Sequence, residues 1–397
     1  MRKIAAHPIL DGRGNCFSKG IVTIDTNGMI LDVQDTGGNL QEEAGIEFYS
    51  GILVPGFINA HCHLELSHLA NAFPEGAGFI PFLKMVVDQR ADELGVITSA
   101  AETADLLMQR NGIVAVGDIS NGTSSFEVKA KSKIGYFTFL ETLGFNPERA
   151  EKAIEWAQSC SGSASELGLK CSIVPHAPYS VSEPLFRAVA SEAVRSGLPI
   201  SIHSQESREE DELFEYGKGG MAAHLRDNLG IDTSSFLPTG RNALRSTLEF
   251  LPAQNPLLLV HNVYTEQEDL DYIQGVRRLE NTWFVLCPCS NLFIQKRLPD
   301  VELFRRNDLQ LCLGTDSLAS NHQLSILEEM KIIQQAFPSV SLGEMIQWAT
   351  LNGASALGIS AGVGSLEVGK RPGINLLTGT DLSSQKLLPG SGIKKLC

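Results

Sequence analysis

Hydrophobic spacing changes character twice along the chain. Near the start, Gly20-Ile21-Val22-Thr23-Ile24 and Met29-Ile30-Leu31-Asp32-Val33 are short strand-like runs separated by Thr26-Asn27-Gly28. Asn-Gly between two such runs predicts a hairpin, because both residues tolerate the positive φ of a tight turn. Gly364-Ser365-Leu366-Glu367-Val368-Gly369 and Ile374-Asn375-Leu376-Leu377 repeat this texture near the other end. Residues 1–50 plus 362–397 are therefore expected to pair into one small β-sandwich domain. In between, apolar strands are predicted at 52–60, 112–118, 134–141, 169–175, 198–202, 257–260, 282–287 and 309–314. Amphipathic helical segments such as 81–110, 183–196, 265–274 and 323–335 alternate with them. Buried strands alternating with helices over 51–361 predict an α/β fold, a (β/α)8 TIM-like barrel. A doubly wound sheet uses the same alternation, so periodicity alone leaves that alternative open. The glycine-rich stretch 217–240 reads as an insertion or lid.

Composition narrows the class. The 397 residues are 43% hydrophobic and 20% charged, which is ordinary globular usage. No apolar run approaches the ~20 residues of a membrane helix. Met1-Arg2-Lys3-Ile4 is followed by no apolar stretch, so no signal peptide is expected. The net charge of −14 repels nucleic acid and anionic membranes, leaving a small molecule as the expected partner. Eight cysteines in so long a chain do not form a disulfide framework, which favours a reducing cytoplasm. Nothing here fixes the oligomeric state; a homo-oligomer remains compatible with it.

The nine histidines carry more information than their number. His61-Cys62-His63 ends the first predicted barrel strand, and residues two apart on a strand project to the same side. Ser201-Ile202-His203, Leu259-Val260-His261 and Leu313-Gly314-Thr315-Asp316 end three later strands. Barrel enzymes build their sites at the C-terminal strand ends, so these side chains are expected to meet. Three histidines and an aspartate suit one divalent ion, Zn²⁺ first and Fe²⁺ as the alternative, with room left for water. Such an ion lowers the pKa of water toward about 7 and makes hydroxide available at neutral pH.

Together, Pro55-Gly56-Phe57-Ile58-Asn59-Ala60-His61-Cys62-His63, His203-x-x-Glu206, His261 and Gly314-Thr315-Asp316 resemble the amidohydrolase superfamily. The likeness is greatest to its deaminase branch, including S-adenosylhomocysteine, guanine, cytosine and aminofutalosine deaminases, and extends to related chlorohydrolases. It spans residues 51–320, and the flanking β segments match that family's sandwich domain. The resemblance implies that His61, His63, His203 and Asp316 are metal ligands. It implies that Glu206 transfers protons and that His261 orients the attacking water. Binuclear relatives carry a bridging lysine at the end of the fourth strand. Here Lys170 lies six residues before His176, roughly 20 Å along a strand, at the wrong end of the barrel. The site is therefore read as mononuclear.

Glu206 is also a plain helix-start carboxylate on a solvated acidic face with Glu209, Glu210, Asp211 and Glu212. Its spacing from His203 singles it out: one turn on, it reaches the same pocket and can deliver a proton to a ring nitrogen. Glu65, Ser67, His176 and Asn291 are candidate substrate contacts, with Asn321 and His322 as further loop candidates. Cys62 is expected to point away from the metal, and Cys287-x-Cys289 lacks a partner pair. The expected activity is deamination of an amino-substituted heterocycle, an adenine nucleoside derivative such as aminofutalosine. The alternative is hydrolysis of a cyclic amide, or removal of another ring leaving group such as halide. No Gly-rich phosphate cradle and no arginine cluster adjoins a strand end, so a neutral nucleoside is favoured over AMP. Elemental analysis of protein purified without chelators is expected to give about one equivalent of divalent metal, as one four-ligand site implies; a reproducible value near two overturns the mononuclear reading.

Overall fold

The computed structural model describes residues 1–41 and 43–397. Seven strands precede the central region: β1 (Arg2–Ala6), β2 (Pro8–Leu10), β3 (Cys16–Ser18), β4 (Ile21–Ile24), β5 (Ile30–Gln34), β6 (Ile46–Tyr49) and β7 (Ile52–Pro55). The Asn27-Gly28 hairpin forms as its sequence predicts, with Gly28 at φ 78° and β4 antiparallel to β5. Eight strands then alternate with helices: β8 (Phe57–Cys62), β9 (Ile113–Ser120), β10 (Gly135–Thr142), β11 (Lys170–Pro175), β12 (Ile200–Ser204), β13 (Leu257–His261), β14 (Thr282–Leu286) and β15 (Gln310–Leu313). Two more follow, β16 (Ile374–Thr378) and β17 (Gly392–Lys395).

The eight central strands form two four-stranded sheets, in the orders β11-β10-β9-β8 and β12-β13-β14-β15. Neighbours within each are parallel. Their near-continuous Val, Ile, Leu and Phe runs are those of strands covered on both faces. The sheets meet at both edges. The amide of His203 donates to His176 O at 2.9 Å between β12 and the end of β11, and Cys62 pairs in parallel with Asp316 beyond β15. Helical expectations hold with shifted bounds. The span 81–110 is two helices, Phe79–Gln89 and Leu94–Arg110, while Glu183–Ser196, Gln267–Val276 and Ile326–Ala336 match theirs closely.

The chain ends form two sheets, ordered β5-β4-β1-β6 and β17-β16-β7-β2-β3. The second joins both termini, with β16 antiparallel to β7 and β17. Ile4, Ile9, Val22, Ile24, Ile30, Leu53, Ile374 and Leu376 from the two sheets share one apolar cluster. The run 364–369 is a turn rather than a strand. Gly364 and Gly369 adopt φ of 88° and 89°, and its amides reach back to Asp11 O and Ile30 O at 2.9 Å.

The first predicted central strand, 52–60, is corrected. It divides at Gly56 into β7, which belongs to the terminal sheet, and β8, which opens the parallel sheet. Continuous hydrophobicity hid the break, because both halves are fully buried. Gly56 donates to Pro372 O and Gly373 O at 3.1 and 3.2 Å. A Cβ there would lie 2.4 Å from Val114 Cγ1 and 2.5 Å from Pro372 O. Overpacking of this kind costs about 1–3 kcal/mol, so Gly56→Ala is expected to lower the unfolding free energy by that much, read as a lower urea midpoint with an unchanged m-value; an unchanged midpoint would show that the junction yields freely.

Candidate active site

The predicted site residues converge where strand geometry sends them. His61 lies in β8 with His63 just beyond it, His203 lies in β12, His261 ends β13, and Asp316 follows β15. His61 O accepts the amides of Thr315 and Asp316 at 3.0 and 3.1 Å, locking the first strand end against the last. Asn59 reinforces this seam, donating to Thr315 Oγ1 at 2.7 Å and accepting from the Thr315 amide at 3.0 Å. Gln205, His261 and Asp316 adopt left-handed φ of 48°, 79° and 57°. Non-glycine residues held there cost of order 1–3 kcal/mol each and persist where the surroundings dictate them.

His63 Nε2 lies 3.2 Å from His61 Nε2 and 3.2 Å from His203 Nε2. Asp316 Oδ1 lies 3.7 Å from His61 Nε2 and 3.5 Å from His63 Nε2. Tetrahedral ligands about 2.05 Å from an ion stand about 3.3 Å apart, so this donor set fits one divalent cation. Imidazole and carboxylate donors suit zinc or iron. His261 adjoins the set, its donor atom within 4.8 Å of those of His61 and His203. Cys62 is buried but joins no candidate metal cluster among the described residues, and neither do Cys287 and Cys289.

Electrostatics sorts these groups by role. Burial lowers His61, takes His63 to about 3 and His176 to about 4, so each imidazole is neutral with a lone pair available. His203 is opposed in the same way by burial, yet the Glu141 carboxylate raises it to about 9. Glu141 thus makes the His203 ring a strong partner for positive charge. Asp316 stays ionised despite burial, held well below the carboxylate range by His61, His63 and His261. Its Oδ2 accepts Ser290 Oγ and Ser320 Oγ, both at 2.7 Å, leaving Oδ1 facing the histidines.

Glu206 behaves oppositely: burial pushes it up to about 8. Its Oε2 lies 3.5 Å from His261 Nε2. His261 Nδ1 faces the Asn291 side-chain amide at 3.1 Å, which fixes the ring from behind. Ser290 and Asn291 lie in the first turns of helix Pro288–Gln295, so one helix start steadies both Asp316 and His261. These groups line a cavity of about 80 Å³ with His63, His176, His203, Arg90, Asn121 and Tyr179. Leu66, Phe79 and Phe82 roof it within an apolar cluster that includes Tyr179, Phe214, Met221 and Leu225. Met221 and Leu225 of the 217–240 stretch belong to this apolar cluster but do not line the cavity.

The remaining predicted contacts separate. His176 lines the cavity, with Nδ1 2.8 Å from Ser180 Oγ. Glu65 is buried beside it, its Oε1 accepting from Arg90 Nη2 at 3.2 Å and the Asn121 amide at 3.1 Å. Glu65 itself does not line the cavity, and the same holds for two further predicted substrate contacts. Ser67 donates to its own turn at Leu64 O, and Asn291 is wholly buried behind His261; neither lines the cavity. Asn321 supports the backbone at Thr315 O and Glu329, and His322 is an exposed partner of Glu75. Sequence reasoning missed Glu141, Arg90 and Asn121, and the wholly buried Asp118–Lys129 pair at 2.5 Å, whose Asp118 Oδ1 accepts the Leu64 amide. Glu141 and Asp118 were findable, since each is an acidic residue near the end of an apolar strand. Arg90 carries no such signal: it reaches the site from the end of helix Phe79–Gln89.

The amidohydrolase family model matches residues 52–391. A protein of Helicobacter pylori named adenosine deaminase is 29% identical over 334 residues, covering 83% of this chain and 79% of its own. The aminodeoxyfutalosine deaminase of a Nitratiruptor species is 28% identical over 381 residues, covering 93% and 88%. The crystal structure of Helicobacter pylori aminofutalosine deaminase in complex with methylthio-coformycin superposes with a TM-score of 0.80, at 24% identity, covering 96% of this chain and 93% of that one. After loading and desalting, His203→Ala is expected to retain well under one equivalent of metal, and Glu206→Gln about as much as the parent protein; equal retention by both variants would remove His203 from the donor set.

Proposed function

The chain belongs to the amidohydrolase family, and from that premise we propose that it is a metal-dependent aminohydrolase that removes the exocyclic amino group of an adenine nucleoside derivative such as aminofutalosine. One observation carries this reading: a buried carboxylic acid, Glu206, raised to about 8 by burial, faces the same small cavity as His63, His203 and Asp316 of the proposed donor set. Deamination of a ring amidine needs that combination, because the ring nitrogen must gain a proton as water adds to the adjacent carbon. The relatives named as deaminases of adenosine and aminodeoxyfutalosine support the substrate class. We read the two parallel sheets as halves of one closed (β/α)8 barrel that begins at β8, and residues 1–55 with 362–397 as its β-sandwich domain, which moves the expected boundary at 50/51 past β7.

His61, His63, His203 and Asp316 would hold one ion, zinc or iron, which when bound supplies a water acidic enough to be deprotonated near neutrality. With the ion in place, His261 Nε2 would orient the attacking water and Asp316 Oδ1 would accept one of its protons. Glu206 gives its proton to the ring nitrogen as the new C–O bond forms, and the C=N electrons move to that nitrogen. Collapse of the tetrahedral carbon breaks the C–N bond. The leaving amine takes the proton held by Asp316 and departs as ammonia. The hydroxyl proton passes to Glu206, restoring the starting state. His176 lines the cavity and is available for a polar edge of the base, while Glu65 stands behind Arg90 and Asn121, which do line it. The described cavity of about 80 Å³ is below the 300–1,000 Å³ usual for such ligands. Admitting a nucleoside therefore requires this cavity to widen.

The test is kcat/KM, followed by loss of adenine absorbance. Aminofutalosine, S-adenosylhomocysteine, methylthioadenosine and adenosine are expected to exceed AMP, because the net charge of −14 and Glu65 disfavour a second phosphate charge. Preference for guanine or cytosine overturns the nucleoside assignment. Turnover of only ring chlorides or cyclic amides overturns deamination itself.

Glu206→Gln is expected to lower kcat about 10²–10⁴-fold, the usual cost of losing a proton shuttle. The protonated acid is the active form and its pKa is raised to about 8, so kcat/KM should hold below that pH and fall above it. A profile flat through pH 9 removes Glu206 from the acid role.

A further inference from the structure

One buried carboxylate beside the site takes no part in these proton transfers. Glu141 ends β10, with its side chain only 2% exposed. Its Oε1 lies 3.2 Å from His203 Nδ1, the ring nitrogen that also faces His176 O at 2.9 Å. Two acceptors on Nδ1 keep the hydrogen there, which leaves the Nε2 lone pair for the metal position. The far oxygen, Oε2, accepts from Asn121 Nδ2 at 3.0 Å. The Asn121 backbone amide donates to Glu65 Oε1 at 3.1 Å. Arg90 Nη2 closes the circuit, donating to Asn121 Oδ1 at 2.6 Å and to Glu65 Oε1 at 3.2 Å. Arg90 itself caps helix Phe79–Gln89, whose Phe79 and Phe82 roof the cavity.

Every link in this series has a donor facing an acceptor. The imidazole N–H meets a carboxylate, the carboxylate meets an amide NH₂, and the amide oxygen meets a guanidinium. The polarity therefore runs without conflict from the metal face to the roof. Buried polar networks of this kind are rigid only when every member is satisfied. A ligand-supporting carboxylate fixes the tautomer and orientation of its histidine and raises its basicity.

We propose that Glu141 is the positioning residue that fixes His203 as a metal ligand. Asn121 is the joint that holds Glu141 and ties it to the Glu65–Arg90 wall. Metal face and substrate wall are then one mechanical unit, and a change at Asn121 is felt at His203 only through Glu141. This rests on the assignment of His203 as a ligand under the proposed function.

The test is the rate of metal transfer from loaded protein to a chromophoric chelator, measured for the parent, His203→Ala, Glu141→Gln, Asn121→Ala and the double variant Glu141→Gln/Asn121→Ala. Glu141→Gln keeps size and an acceptor while removing charge, and it is expected to release metal about 10–100-fold faster, the usual cost of losing such a partner. Asn121→Ala is expected to speed release less. The double variant should match Glu141→Gln alone, because both changes act along one path. The metal-free variants are melted alongside, and Glu141→Gln is expected to keep the parental Tm, which separates positioning from folding. A parental release rate in Glu141→Gln overturns the proposal. So does a double variant whose effects multiply, or a Glu141→Gln protein whose faster release tracks a collapsed Tm. If His203→Ala also releases at the parental rate, the failure lies in the ligand assignment instead.

Discussion

Three imidazoles and an ionised carboxylate converge in a buried pocket, with His63 Nε2 3.2 Å from both His61 Nε2 and His203 Nε2. Most of what surrounds the site works to impose that arrangement. The first and last central strands are tied through His61 O and the Asn59–Thr315 bonds. His261 and Asp316 are held in left-handed backbone conformations. The back of each group is engaged: Asp316 by two serines, His203 by Glu141, and His261 by Asn291. The donors are thus held by their surroundings at spacings that suit a single cation.

The same burial that strips charge from His61, His63 and His176 leaves Glu206 protonated. Asp316, equally buried, stays ionised because it faces histidines and accepts two hydroxyl bonds. Two carboxylates in one cavity are thereby set to opposite protonation states. Desolvation acts on both, and local partners decide which one it defeats. A residue able to hold a proton near neutrality and another able to accept one are what ammonia release requires. The apolar roof keeps water from erasing that difference.

Stability and function meet at the junction between β7 and β8. The terminal sheet takes residues 52–55 and the parallel sheet takes 57–62, so a single residue, Gly56, separates the terminal sheet from the strand that carries His61. Gly56 allows the Val114 and Pro372 contacts that bind the two units there. Beneath the site the buried Asp118–Lys129 pair serves a similar end, since Asp118 holds the amide that directly follows His63.

The linear sequence determined the strand alternation, the hairpin at Asn27-Gly28 and the histidines that meet, because these follow from local periodicity and from side chains placed at strand ends. It set seven of the central strands nearly to the residue, since each is an isolated apolar run bounded by polar ones. It blurred the division at Gly56, where two buried strands adjoin and hydrophobicity does not change. The substrate-side residues were less legible. Ser67 follows the His61-Cys62-His63 motif and Asn291 follows the end of β14, yet one turns to its own backbone and the other lies behind His261. Arg90 is 27 residues beyond His63 and reaches the cavity only because helix Phe79–Gln89 folds back across it. Glu141 looks like any strand-end acid until β10 and β12 are seen from one side. Ligand identity is a local property of strand ends, whereas the hydrogen bonds that aim those ligands and shape the pocket join elements distant in sequence, and only tertiary packing decides them.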